Sequence, residues 1–175
     1  MGIEITKAQA DEYPVVRQFY HSMIDSIQDY SFKTCWEKDI YPSPDFLQSA
    51  VSRSGLFLGR IDGRIAAAMV LNHDCNPEYQ SIKWQIDANR DEVLIIHALG
   101  VHHDFSGRGC GRSMVKKAIE IARNTGMKAM RLDVLNGNVY AEKLYTSCGF
   151  AYIDTIQLYY EDTGRTAFNM FELLL

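Results

Sequence analysis

Apolar residues recur along this chain with two periods, and the alternation between them lays out the elements. Ile3–Lys7 alternates apolar and polar positions and reads as a first strand. From Ala10 to Gln28, Val15, Phe19, Met23, Ile24 and Ile27 fall at helical spacing, which predicts an amphipathic helix. Residues 29–43 carry no period but hold Tyr30, Trp36, Tyr41 and Pro42. Ser43-Pro44-Asp45 is a helix start, with serine at the cap and proline at the first position, and this second helix runs to about Ser54. Leu56–Ile61 and Arg64–Asn72 read as strands joined at Asp62-Gly63, a two-residue hairpin signal. His73–Arg90 is polar and irregular, and Glu92–Val101 is an unbroken apolar run of the kind a central strand shows. Gly109–Asn124 returns to the helical period through Met114, Val115, Ala118 and Ile121, with Gly126 as a stop. Ala129–Val134 is a strand, Asn138–Cys148 a helix, and Ala151–Leu158 and Ala167–Leu173 pair around Glu161-Asp162-Thr163-Gly164.

The order is strand, two helices, three strands, helix, strand, helix, two strands. The strands at Glu92–Val101 and Ala129–Val134 flank one helix, so they should run parallel with a right-handed crossover, while the terminal hairpins run antiparallel. This predicts an α/β protein with a mixed sheet and helices on its faces. No repeat, low-complexity tract or Pro/Gly linker divides the chain, which is read as one domain over residues 1–175.

Composition narrows the partners. The formal net charge of −4 gives no overall attraction to nucleic acid or to anionic lipid. Cys35, Cys75, Cys110 and Cys148 form no CxxC pair, so they are expected as reduced thiols in a cytoplasmic protein. The first residues lack the basic start and apolar run of a secretory signal, and no apolar stretch is long enough to cross a membrane. Met1-Gly2 fits the loose myristoylation pattern, but the same residues lead straight into the first strand, which is the reading preferred here.

The strongest chemical signal is the segment Val101-His-His-Asp-Phe-Ser-Gly-Arg-Gly-Cys-Gly-Arg-Ser113, lying between a buried strand and a helix. A helix N-terminus offers unpaired N–H groups and a partial positive charge, so it holds phosphates. Gly107, Gly109 and Gly111 let the backbone come close to an anion, and Arg108 and Arg112 add charge and donors. A tight glycine turn with surface arginines is the plain structural alternative. A P-loop is excluded because no G-x-x-x-x-G-K-[ST] is present. A dinucleotide fingerprint fails because its last glycine would fall on Arg112 or Met114, although Asp133 stands at the strand end where such folds keep a ribose-binding acid.

Val101–Gly111 resembles motif A of the GNAT superfamily of N-acetyltransferases, Q/R-x-x-G-x-G/A, with Gly109 and Gly111 in the glycine places and Ser106 where Gln or Arg is usual. Further on, Asn138, Ala141, Leu144, Tyr145, Gly149 and Phe150 fall in register with motif B, N-x-x-A-x-x-L-Y-x-x-x-G-F. The resemblance covers about Arg64–Phe150 and extends to the N-terminal third by element order alone. It implies a GNAT fold with acetyl-CoA lying between the strands Glu92–Val101 and Ala129–Val134. The pantetheine arm would pair with main chain near Leu99 and Val101. The pyrophosphate would sit on Ser106, Gly107, Arg108, Gly109, Gly111 and Arg112, and Asn138 would position the arm. Tyr145 matches the tyrosine that protonates the leaving thiolate, and a backbone N–H at Leu99 or a neighbour would stabilise the oxyanion.

His97 is the candidate base. The run His97-Ala-Leu-Gly-Val-His102 is similar to a strand of the arylalkylamine N-acetyltransferases, which carry a histidine at this place and another two residues earlier, where this chain has Ile95. Period two would put His97 on the face of Leu99 and Val101. A histidine satisfied inside a core strand is the competing reading. His102 and His103 should point to opposite faces, which argues against a shared metal, and no metal is expected. Tyr30, Trp36 and Tyr41 are candidates for an amine pocket, or else cover a core edge, and Lys143 for a phosphate contact. The expected reaction moves an acetyl group to the primary amine of a small molecule, amino acid or peptide N-terminus. A non-catalytic acyl-CoA-binding module is the alternative, which the presence of Tyr145 opposes. Exposed strand edges leave a homodimer open.

Overall fold

The computed structural model describes residues 2–27 and 36–175. Gln28, Tyr30 and Cys35 lie outside them. Seven strands form one sheet: β1 (Glu4–Lys7), β2 (Leu56–Ile61), β3 (Arg64–Asn72), β4 (Val93–Val101), β5 (Ala129–Leu135), β6 (Ala151–Tyr160) and β7 (Gly164–Leu174). Their order is β1-β2-β3-β4-β5-β7-β6. Only the β4–β5 pair is parallel, as the intervening helix requires. The β2–β3 turn has Asp62 and Gly63 both at positive φ, the primed geometry that Asp-Gly favours.

The α-helices among the described residues are α1 (Tyr13–Ser26), α2 (Pro44–Ser52), α3 (Cys110–Asn124) and α4 (Val139–Ser147). Ser43 caps α2 by accepting the Phe46 N–H at 3.2 Å. A short 3-10 turn, Ala10–Glu12, precedes α1, where the periodicity predicted uninterrupted helix. The last hairpin is longer than its pattern announced, because β6 and β7 extend to the turn itself.

The sheet separates two apolar layers. Leu94, Ile96, Met130, Leu132 and Val134 face α3 and pack on its Met114, Val115, Ala118 and Ala122, together with Tyr145 and Phe150. On the other face Leu58, Ala68 and Val70 pack on α1 and α2 through Val16, Tyr20, Met23 and Leu47. Farther along that face, Tyr79 and Ile82 cover Val93, Ile95 and Met170. A buried ion pair ties this covering segment down. Arg131 donates to Glu172 at 2.9 Å and to the Ile86 carbonyl at 3.0 Å, and Glu172 accepts the Gln85 N–H at 2.7 Å. Cys75, Cys110 and Cys148 are free thiols. No helix among the described residues is long and apolar enough to cross a membrane.

Candidate active site

β4 and β5 pair only from Val93 to Ile95, against Ala129 to Arg131. Beyond that, Leu132–Leu135 pairs with β7 alone, and β4 keeps only β3 as a neighbour. The edge of β4 from Ile96 to Val101 is thus open toward the splay. The divergence has a local cause. The β3–β4 register slips between Val70↔His97 and Ala68↔Gly100, and Ala98 sits at φ +49° in the slip. A bulge of this kind bends and twists its strand. An alanine held in the left-handed region costs about 1–3 kcal/mol. The Tyr20 hydroxyl offsets part of this, donating to the buried Ala98 carbonyl at 2.8 Å.

The bulge also changes which way side chains point. Ile96, Leu99 and Val101 pack with the α3 layer. His97 lies opposite Val70 and beside Phe46 of α2, ring centroids 6.1 Å apart, and a Cβ on Gly100 would run into Met23 of α1. His97 therefore stands on the opposite face from Leu99 and Val101. The period-two expectation fails here because one extra residue reverses the alternation.

A cavity of about 530 Å³ fills the splay and joins the two faces. On the α3 side it is lined by Leu99, Val101, Val134, Asn138, Ala141 and Tyr145. Tyr145 is buried to 7% exposure, and burial raises its phenol well above the ordinary range, so it stays protonated. No hydrogen-bond partner of its hydroxyl is found among the described residues, and no buried side-chain oxygen is left unpaired there. The hydroxyl therefore opens onto the cavity. Asn138 is the cap of α4, its carbonyl accepting the Ala141 N–H at 3.1 Å, which leaves its amide N–H groups for the cavity.

On the α1 side the lining includes Trp36, Tyr41, His97, Asp133, Tyr160 and Asp162. His97 Nε2 is 2.9 Å from the Asp74 carbonyl. A carbonyl only accepts, so Nε2 carries the hydrogen and Nδ1 of the neutral ring is the bare nitrogen. Burial holds the His97 pKa below the ordinary 6.5, against the opposing charges of Asp133 and Asp74. Asp133 Oδ2 accepts from the hydroxyls of Tyr79 at 2.6 Å and Tyr160 at 2.8 Å.

The glycine loop lies at the start of α3. Gly107 and Gly109 have φ of +73° and +76°, where a side chain is strained, and Gly109 caps α3 with no side-chain partner. The first-turn N–H groups of α3 have no acceptor within the helix and face outward at a positive helix end. Gly111 packs against α4, where a Cβ would stand 3.2 Å from Leu144. Arg108 lies over the Phe105 ring at 5.4 Å, and Arg112 donates to Ser147 at 3.1 Å. Ser106 is exposed beside them.

The acetyltransferase (GNAT) family model matches residues 17–150. The chain belongs to the GNAT acetyltransferase family. An uncharacterized N-acetyltransferase of Methanocaldococcus jannaschii is 32% identical over 96 residues, which are 55% of this chain and 38% of that protein. The chain thus matches well under two thirds of that relative's length. The fold agrees with a GNAT family acetyltransferase from Streptococcus agalactiae, with TM-score 0.80 at 20% identity, covering 99% of this chain and 95% of that one. It also agrees with yncA of Salmonella typhimurium, a putative acetyltransferase determined with its cofactor acetyl-CoA, with TM-score 0.68 at 15% identity, covering 100% and 95%.

Within this GNAT frame the splay gathers His97, Leu99, Val101, Asn138 and Tyr145 around one cavity, with Trp36 and Tyr41. Ser106, Gly107, Arg108, Gly109, Gly111 and Arg112 form the adjoining loop and helix start outside the cavity lining. Lys143 is exposed on α4 and does not line the cavity. His102 is occupied structurally: its Nδ1 accepts the Asp104 N–H at 3.2 Å, so its Nε2–H donates to Ser22 at 3.0 Å. Tyr79, Tyr160 and Asp162 are additions that sequence reasoning missed, and Asp133, read there only as a weak sign of ribose binding, stands in the cavity wall instead. The available signal was the alternation Met130-Arg131-Leu132-Asp133-Val134, which puts both charges on one face of a core strand.

Proposed function

We propose that the protein is an acetyl-CoA-dependent N-acetyltransferase acting on a primary amine of a small molecule, amino acid or peptide N-terminus. The observation that carries this reading is the open edge of β4 from Ile96 to Val101, lying between an uncapped α3 terminus and the protonated phenol of Tyr145. Bound acetyl-CoA would supply the acetyl thioester. Main chain at Leu99 and Val101 would take the amide-rich arm as an added strand would. Ser106, Gly107, Arg108, Gly109, Gly111 and Arg112 would hold the pyrophosphate. The amide of Asn138 would orient the arm from the cap of α4.

The chain's own groups then divide the proton work. His97 Nδ1 takes a proton from the acceptor ammonium, freeing the lone pair that attacks the carbonyl carbon. A backbone N–H at the β4 bulge stabilises the negative oxygen as the N–C bond forms. Tyr145 donates its proton to the sulfur as the C–S bond breaks. An ammonium sheds two protons in becoming an amide. One leaves through His97 to solvent and the other restores the Tyr145 phenol. The test is thiol release from acetyl-CoA with a panel of primary amines. Amine-dependent release that Tyr145→Phe removes supports the reading. Release that is independent of amine, or equal in the variant, contradicts it.

A further inference from the structure

The α1 side of the cavity is unusually anionic for a pocket with so much aromatic surface. Its described lining holds Asp74, Asp133 and Asp162 and contains neither lysine nor arginine. Asp74 is neutralised by ion pairs to Arg90 and Arg53. Neither of the other two has a cationic partner among the described residues. Asp133 is held by neutral phenols, and both bonds go to Oδ2, leaving Oδ1 without a protein donor among the described residues. Asp162 sits in the turn between β6 and β7, with no side-chain donor to its carboxylate among the described residues and its own backbone and that of Thr163 close by. Burial first, then the charges of Glu37 and Asp133, push its pKa up. Two partly buried carboxylates that face one cavity with no cation among the described residues favour a ligand that brings positive charge. The same cavity has aromatic walls: Trp36 and Tyr41 stand edge to face at 5.3 Å, and Tyr160 and Phe168 at 5.2 Å. Such walls suit an alkyl spacer and add cation–π attraction.

We propose that the acceptor is a dication of the diamine or polyamine class, its reacting nitrogen at Asp133 and His97 and its second cationic nitrogen at Asp162. This rests on the transferase reading above. The phenols of Tyr79 and Tyr160 fix the Asp133 carboxylate, so Oδ1 meets the reacting ammonium in a set position before His97 deprotonates it. Asp162 acts only on the distal nitrogen and sets specificity without touching the reacting atoms.

The test is calorimetric, on protein first titrated with coenzyme A and then kept saturated with it. Diaminobutane and diaminopentane are titrated against butylamine and pentylamine. The wild type should bind each diamine at least about tenfold more tightly than the monoamine of the same length, the gain expected from one charged hydrogen bond. Asp162→Asn should bring the diamine down to the monoamine's affinity and leave the monoamine and coenzyme A unchanged. Equal or tighter monoamine binding, no binding of any of the amines, or a diamine preference that survives Asp162→Asn would overturn the proposal while leaving the transferase reading standing. Absence of coenzyme A binding in the first titration would overturn both.

Discussion

The two sides of the splay are built in different ways. The α3 side comes from two nearly contiguous stretches, the strand-loop-helix around Gly107–Arg112 and the helix around Tyr145. Its working parts are main chain, a helix terminus and one phenol. The α1 side is assembled from α1, α2 and residues 36 and 41 between them, the segment after β3, His97 of β4, Asp133 of β5 and the β6–β7 hairpin, and its working parts are side chains. A main-chain site demands particular residue types at fixed spacing, because glycine alone takes the positive φ at Gly109 without strain and only a small residue fits under Leu144. A side-chain site assembled from segments scattered along the chain imposes no such spacing. The first side suits a constant ligand and the second a variable one.

Substitutions on the two sides should separate accordingly. The largest effect belongs to Tyr145→Phe. Loss of the proposed acid should lower kcat about a hundredfold or more while the affinity for acetyl-CoA stays within about twofold, read by steady-state kinetics and calorimetry. His97→Gln should lower kcat by about ten- to a hundredfold. It should also remove a pH limb. The base works as the free imidazole and burial lowers its pKa, so wild-type kcat should rise with pH through a limb below 6.5 and be complete near neutrality. A smaller effect is expected at Gly109→Ala, where the strain of a positive φ is about 1–2 kcal/mol. That predicts roughly tenfold weaker acetyl-CoA binding, with the KM for amine unchanged. If Gly109→Ala moved the amine KM as much as the coenzyme affinity, the division between the two sides would be wrong.

The same division explains what could be read without coordinates. The strands, helices and hairpins followed from apolar period and turn chemistry, and the parallel β4–β5 pair from the helix between them. The glycine loop and the Tyr145 helix carried their chemistry in local spacing. The bulge at Ala98 did not announce itself, because it occupies an alanine inside an unbroken apolar run, with no glycine or asparagine to mark positive φ. One residue of slip then placed His97 opposite Leu99. Asp133 stood in view as a carboxylate in a core strand. Its phenol partners lie 54 and 27 residues away, and only the tertiary fold brings Tyr79 and Tyr160 to it. The role of Asn138 as a helix cap depends on a cap geometry finer than its motif.

Whether the splay between β4 and β5 takes acetyl-CoA can be decided by one titration. Isothermal titration of the purified protein with acetyl-CoA, with ATP and NAD run alongside, tests it most directly. Saturable heat with acetyl-CoA in the micromolar range, and none with either nucleotide, is the expected result. No heat with acetyl-CoA, or tighter binding of ATP or NAD, would contradict it.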